Sequence, residues 1–479
     1  LTEWVSNTGL RLRDLVPAEC RADWVRRGFC PDRDLFSLFA DHAAAQPDRP
    51  AVIDSRGVLD YAELLGLVER AAAGLHRAGF GHRDVVGIHL PNGRDAVAVE
   101  LAVYALGAVA LPIPQSSGAR DLRALLEKAR ARGLITAVPY ASGSWPRPYL
   151  DPEHPARFLV SSGSEAEPKM VAYSHNAFAG GRANYVRALG PGPMRNLVLV
   201  PLASSFGSCG VPVGIAALGS TLIVQDSFDA AGAVRAMTTH RPTHVFAVPT
   251  MLGRMTAVPA GSCEELSGLD ALVASGAALP GSVRRACETR FGRRVVAVYG
   301  SSDGVNCRDG VPDPAVAGIR TVGGEIQARG PMSPLCYVGA PELDARYRTA
   351  DGWVRTGDLG RIDVRGRLHV LGRKRQVVIR GGYNISPAEV EGELGAHPAI
   401  AEVACVGVPD TDLGERLCAC VVPREGGLTL SALTGFLEAR GLERRKLPES
   451  LVLLPELPLG PTGKICRTSL RTLVSAHGR

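Results

Sequence analysis

Short, uninterrupted apolar runs alternating with longer helical stretches constrain this chain most. Val85 to Leu90, Leu197 to Val200, Thr221 to Val224, His244 to Val248 and Val295 to Tyr299 each read as a strand buried on both faces. Leu35 to Ala45 and Leu64 to Ala78 instead carry apolar residues at helical spacing. Leu64, Leu67, Val68, Ala71, Leu75 and Ala78 fall on one face of the second. Strands without polar alternation need cover on both sides, and intervening helices favour parallel pairing. The alternation therefore implies an α/β fold with largely parallel sheets.

At 479 residues the chain exceeds what one hydrophobic core organises, so two or more domains are expected. The pattern changes after Gly372. A basic, glycine-containing stretch (Arg373, Lys374, Arg375, Arg380, Gly381, Gly382) leads to Ser386-Pro387-Ala388-Glu389, the signature of a helix N-cap and first turn. Apolar strands near Val403 to Val408 and Leu417 to Val422 follow, then a helix near Leu430 to Arg440. We expect a large N-terminal domain over 1–375 and a small α+β domain over 376–479. Pro- and Gly-rich stretches from Tyr140 to Pro155 and from Val311 to Pro334 read as surface loops.

Apolar residues make up 46% and charged residues 21%, ample for a packed core. The net charge of +6 is spread without dense basic blocks, which argues against a nucleic-acid partner. The 11 cysteines form no CxxC pair, a usage that suits a reducing compartment and excludes an ordinary zinc site. No apolar run reaches membrane-spanning length and Leu1 to Leu10 lacks an apolar signal core, so a cytoplasmic location without a membrane partner is expected.

Several segments carry chemistry. Residues 158–171 end an apolar strand in Ser161-Ser162-Gly163-Ser164, followed by Lys169. Backbone N–H groups, hydroxyls and a cation in such a loop can cradle phosphates, although the spacing is not that of a P-loop. Tyr299-Gly300-Ser301-Ser302-Asp303 closes a strand with an aromatic, hydroxyls and an acid. Arg355-Thr356-Gly357-Asp358 offers a carboxylate suited to ribose hydroxyls, and Pro461-Thr462-Gly463-Lys464 lies near the C-terminus. Each alone reads as a turn; the ordered set does not.

Together these segments resemble the core motifs of the adenylate-forming superfamily of acyl-CoA ligases, stand-alone adenylation enzymes and luciferases, over about residues 34–472. Leu10 to Gly28 resembles the branch that adenylates aryl acids. The resemblance implies two α/β sheets plus a small barrel-like part, a small mobile C-terminal domain, and a site between them. It also implies that Ser161, Ser162, Gly163, Ser164 and Lys169 bind phosphate, with Gly276, Gly300 and Ser302 beside the nucleotide. Tyr299 would pack on the adenine, Asp358 would hold the ribose and Arg373 would lie nearby, with Gln376 at the hinge. Lys464 would contact the carboxylate and α-phosphate during adenylation. Gly381 and Gly382 would line the thiol's channel after the small domain rotates.

The sequence departs from the family pattern at three positions. Glu165 stands where a hydroxyl residue is usual and Ala166 where glycine is usual, while Asp303 replaces a metal-binding Glu. A carboxylate about 4–5 Å from a phosphate costs roughly 3–4 kcal/mol at an effective dielectric near 20. That is roughly a hundred- to thousandfold in affinity. The shorter Asp303 carboxylate is a poorer Mg²⁺ ligand. Both changes penalise ATP and Mg²⁺ and spare an acyl adenylate, which has one phosphate. The expected reaction is therefore thioester formation from an acyl adenylate and coenzyme A, with another ligase supplying the adenylate. A complete ATP-dependent ligase, an enzyme loading a carrier protein, and a non-catalytic binder are the competing readings. Lys464, Asp358 and Lys169 speak against the binder. Small residues (Ala203, Ser204, Gly207, Gly210, Ser275, Gly276, Ala277), together with Phe206, suggest a roomy pocket for a bulky, mostly apolar acid. Tight backbone packing would select the same residues.

Overall fold

The computed structural model describes residues 3–161, 169–261, 265–380, 383–424, 426–460 and 464–477. Two sheets among them form the layers of the larger part. One has eight strands in the order Val305–Arg308, Arg294–Ser301, Ala271–Ser275, His244–Ala247, Arg195–Val198, Thr221–Val224, Pro50–Asp54, Gly57–Asp60. Its interior pairs are parallel and its two edge pairs antiparallel. The other orders Gly133–Ile135, Val85–Ile88, Val109–Pro112, Pro155–Ser161 and Lys169–Ser174, the last pair antiparallel. The apolar runs of the sequence thus became the buried central strands, as continuous hydrophobicity requires.

Helices packed on these sheets begin where the sequence supplies a cap. Asp34 accepts from the Ser37 N–H at 2.8 Å at the start of Leu35–Ala45. Asp60 and Glu63 form a reciprocal capping box that starts Tyr61–Arg77, and such a cap contributes about 1 kcal/mol. Leu64, Val68, Ala71 and Leu75 of that helix are fully buried.

A four-stranded antiparallel sheet follows: Gly318–Val322, Glu325–Arg329, Val354–Ile362 and Leu368–Arg373. Its first two strands lie within the Val311 to Pro334 stretch expected to be loop. The turn residues Gly323 and Gly324, both at positive φ, join a tight hairpin there. Beyond it, Val378–Arg380, Tyr383–Ile385, Ile400–Asp410, Gly414–Pro423 and Ser450–Leu453 build a separate sheet. Helices Pro387–Leu394 and Leu430–Ala439 contribute to a core on one side, and Arg467–His477 to a core on the other. Ser386 precedes the first of these helices without capping it; its hydroxyl donates to the Leu371 carbonyl. No helix among the described residues is long and apolar enough to cross a membrane.

Candidate active site

Strand ends of the eight-stranded sheet bring the nucleotide motifs together. Ser275 Oγ donates to the Val298 carbonyl at 2.8 Å, tying the ends of neighbouring parallel strands. The chain then turns at Gly276, φ +91°, where a Cβ would meet Lys464 Cε at 3.0 Å and Val248 Cγ1 at 3.3 Å. A side chain here would be strained and would push on the lysine. This bare backbone is a cradle across which Lys464 lies, reaching from the smaller part of the chain.

Antiparallel register places Asp358 directly opposite Arg373. Arg373 Nε lies 2.9 Å from Asp358 Oδ1, and the Tyr299 hydroxyl donates to Oδ2 at 2.7 Å. Asp358 is buried; that burial raises its carboxyl pKa while Arg373 and Tyr299 act to lower it. Burial and Asp358 push the Tyr299 phenol far up, so it remains a donor. Lys464 keeps accessible surface, yet atoms of both parts crowd it. Desolvation and the Arg373 charge lower its pKa, partly offset by Asp358. Tyr299, Asp358, Arg373, Gly276 and Lys464 therefore stand in one cluster.

Asp303 is held on both oxygens. Ser301 Oγ donates to Oδ2 at 2.7 Å and the Tyr337 hydroxyl to Oδ1 at 2.6 Å. Tyr337 is buried against Tyr347, with ring centroids 5.9 Å apart, and the Lys169 ammonium sits 4.0 Å from the Tyr347 centroid. A cavity of about 330 Å³ opens here, lined among others by Lys169, Asp303, Arg346, Arg355, Arg373 and Lys374. Its five cationic side chains outnumber its two carboxylates, Asp303 and Glu325, which suits an anion. To Mg²⁺ it offers two carboxylates, Asp303 and Glu325, among five cations; each Asp303 oxygen accepts one hydrogen bond, which fixes its direction and leaves one lone pair. A larger cavity of about 660 Å³ lies at the opposite end of the strands, near Met194 and Ser220, away from these groups.

Sequence reasoning missed Tyr337, Tyr347 and Arg346. Tyr337 arrives by bridging to Val171 on the strand that Lys169 begins, a pairing no local motif announces. Arg355 and Lys374 stood inside quoted motifs without a role. Ser162, Gly163, Ser164, Glu165, Ala166, Gly381 and Gly382 lie outside the described residues. Ser161 ends its strand opposite Lys169.

The segment after Leu199 is pinned by distant side chains. Asn92 Oδ1 accepts from the Leu202 N–H at 3.0 Å, and Arg157, paired with Glu100 at 2.6 Å, donates to the Leu202 carbonyl at 2.7 Å. Ser204 Oγ accepts from the Gly207 N–H at 2.9 Å. A Cβ on Gly207 would fall 2.0 Å from the Pro201 carbonyl oxygen, and one on Gly210 2.7 Å from Leu202 Cδ2. These glycines serve close packing and do not enlarge a pocket. Ala203 and Phe206 are half-buried, Phe206 beside Phe246 at 5.9 Å, and Ala277 is exposed on the rim. His175 is structural: its Nδ1 accepts from the Leu35 N–H at 3.2 Å.

Residues 39–148 and 139–326 match the AMP-binding enzyme family, and residues 389–464 match the AMP-binding enzyme C-terminal domain. The chain belongs to this adenylate-forming family. It is 31% identical to the indoleacetate–CoA ligase of Aromatoleum aromaticum over 91% of this chain and 97% of that protein. It is 29% identical to the salicyl-AMP ligase/salicyl-S-ArCP synthetase of Mycobacterium tuberculosis over 95% and 93%. Its fold matches the ATP-bound MatB of Rhodopseudomonas palustris with a TM-score of 0.83 at 23% identity, covering 93% of this chain and 100% of that one. Ligase activity of acyl-CoA synthetase type is thus supported at the level of the family.

Proposed function

We propose that this chain transfers the acyl group of an acyl adenylate to the thiol of coenzyme A, and that its own adenylation of the acid by ATP is weak. The observation carrying the reading is an asymmetry within one site. The groups suited to an adenylate stand together: Tyr299, Asp358, Arg373 and Lys464 around the Gly276 cradle. On the side that would face pyrophosphate and metal, Asp303 is short and tied between Ser301 and Tyr337. Glu165 adds a negative charge within the phosphate-loop sequence.

In the transfer, the thiol sulfur attacks the acyl carbon, the bond from that carbon to the phosphate oxygen breaks, and AMP departs with the electron pair. The thiol proton passes to solvent. The leaving group is good, so the chain need supply chiefly orientation and stabilisation of the departing phosphate, tasks suited to Lys169 and Arg373. Residues 1–375 would hold the nucleotide and acyl group. The part from 376 would present Lys464 and, after rotation, Gly381 and Gly382 to the thiol. The substrate is a carboxylic acid. The bulky-acid expectation loses two supports, because Gly207 and Gly210 are used for packing.

The carrier-protein reading draws on the salicyl-S-ArCP synthetase relative; no observed surface favours it over coenzyme A. Incubation with a synthetic acyl adenylate and coenzyme A, without ATP, tests the proposal. Thioester release supports it, and recovery of unreacted adenylate and thiol overturns it.

A further inference from the structure

A buried cation that the reaction above does not use bonds to the segment after Leu199. Arg182 ends the π-helical turn Phe178–Arg182, a backbone form often found at functional sites. Its side chain is 3% exposed. Nη1 donates to the Ser205 carbonyl at 3.3 Å and to Ser208 Oγ at 3.1 Å; Nη2 donates to the Tyr173 hydroxyl at 3.2 Å. Ser205 Oγ lies 3.5 Å from Nη2, and the buried Nε has no acceptor. The guanidinium stacks 4.7 Å from the Tyr173 centroid.

No carboxylate among the described residues is in ion-pair contact with Arg182, whereas the equally buried Arg157 has Glu100 at 2.6 Å. Tyr173, Tyr185 and Cys209 are its titratable partners in electrostatic contact, and Asp303 and Arg348 act in turn on Tyr173. Burial raises the pKa values of all three partners, the Cys209 thiol to about 12, so each stays neutral. A buried cation lacking a counter-charge is costly, and a ligand anion beside it would lower that cost. The location fits a ligand. The Tyr173 hydroxyl that receives Arg182 donates in turn to the Ser302 carbonyl at 2.7 Å, within the motif that follows Tyr299. Ser205 and Phe206, half-buried, form the less enclosed side of the cluster.

We propose that Arg182 reads a second anionic group on the acyl acid, so that the preferred substrate is a dicarboxylate or similarly bifunctional acid. This rests on the acyl-adenylate reading for the site, but it concerns which acyl group the site holds. Specificity would come from charge: an acid without the second anion leaves Arg182 uncompensated.

The test is calorimetric binding of acyl sulfamoyl adenosines, which mimic the adenylate and cannot react. Two matched pairs serve as probes: hexanoyl against 5-carboxypentanoyl, and benzoyl against 3-carboxybenzoyl. The wild type should bind the carboxylated member of at least one pair tenfold or more tightly. Arg182→Gln should remove that advantage while leaving the neutral member within about threefold, and Arg182→Lys should keep part of it. Equal binding within both pairs by the wild type overturns the proposal without need of any variant. Equal weakening of both members by Arg182→Gln also overturns it, since that is the mark of a structural pin. A charge preference without thioester formation from the matching adenylates and coenzyme A would sink the transfer reading alone.

Discussion

Removing one hydroxyl should loosen the tether that keeps Asp303 away from a metal. In Tyr337→Phe the ring stays packed against Tyr347, but Asp303 Oδ1 loses a donor at 2.6 Å. A hydrogen bond to an ionised carboxylate is worth about 1.5–3 kcal/mol. Asp303 is half-buried beside the cavity, so water replaces part of the loss, leaving about 1–2 kcal/mol. Burial and Asp303 push the Tyr337 phenol far above its ordinary value, so the donor is present at every working pH. The assay is a double-mutant cycle with Asp303→Asn, read by urea unfolding. A coupling energy of about 1–2 kcal/mol is expected. Magnesium-dependent ATP–pyrophosphate exchange should rise in Tyr337→Phe, because the Asp303 carboxylate becomes free to turn towards a metal. Coupling below about 0.3 kcal/mol, together with unchanged exchange, would refute the tether.

Three further outcomes follow. His175 is held neutral by its acceptor role, with Asp34, Asp151 and His154 nearby, and burial pushes its pKa from 6.5 down to about 4. The unfolded chain therefore binds more protons between those values; the contribution is complete above 6.5 and is lost as pH falls towards 4, by about 3 kcal/mol in all. His175→Gln should flatten that slope in unfolding titrations, and an unchanged slope would assign it to other groups. Asp358→Asn should weaken binding of an acyl sulfamoyl adenosine about ten- to hundredfold, since ribose hydroxyls lose a charged acceptor; an unaltered Kd would remove Asp358 from the nucleotide site. Glu165→Thr with Ala166→Gly and Asp303→Glu should raise pyrophosphate exchange at least tenfold over the parent, and no gain would place the weakness elsewhere.

The strands of the larger part were legible because burial on both faces leaves an unbroken apolar run. Thr221–Val224 matches the reading residue for residue, and His244–Ala247 differs by one. The hairpin of Gly318–Val322 and Glu325–Arg329 was not legible. Its strands are short and mix half-buried polar residues with apolar ones, so their glycines read as loop. At the site, residues within compact motifs could be grouped from sequence, as Tyr299, Asp358, Arg373 and Lys464 were. Tyr337 and Arg182 could not. One reaches Asp303 through a strand bridge, and the other reveals itself only because no carboxylate among the described residues touches it. The small residues at 207 and 210 had two physical meanings, and only the contacts at their Cα atoms separated them.

The central claim is that one site retains acyl transfer while losing much of its capacity to make the adenylate. ATP–pyrophosphate exchange with a given acid, set beside coenzyme A thioester formation from that acid's preformed adenylate on the same enzyme sample, measures both halves directly. Rapid thioester formation with exchange near background is expected. Robust exchange, at a rate matching thioester formation, would contradict it.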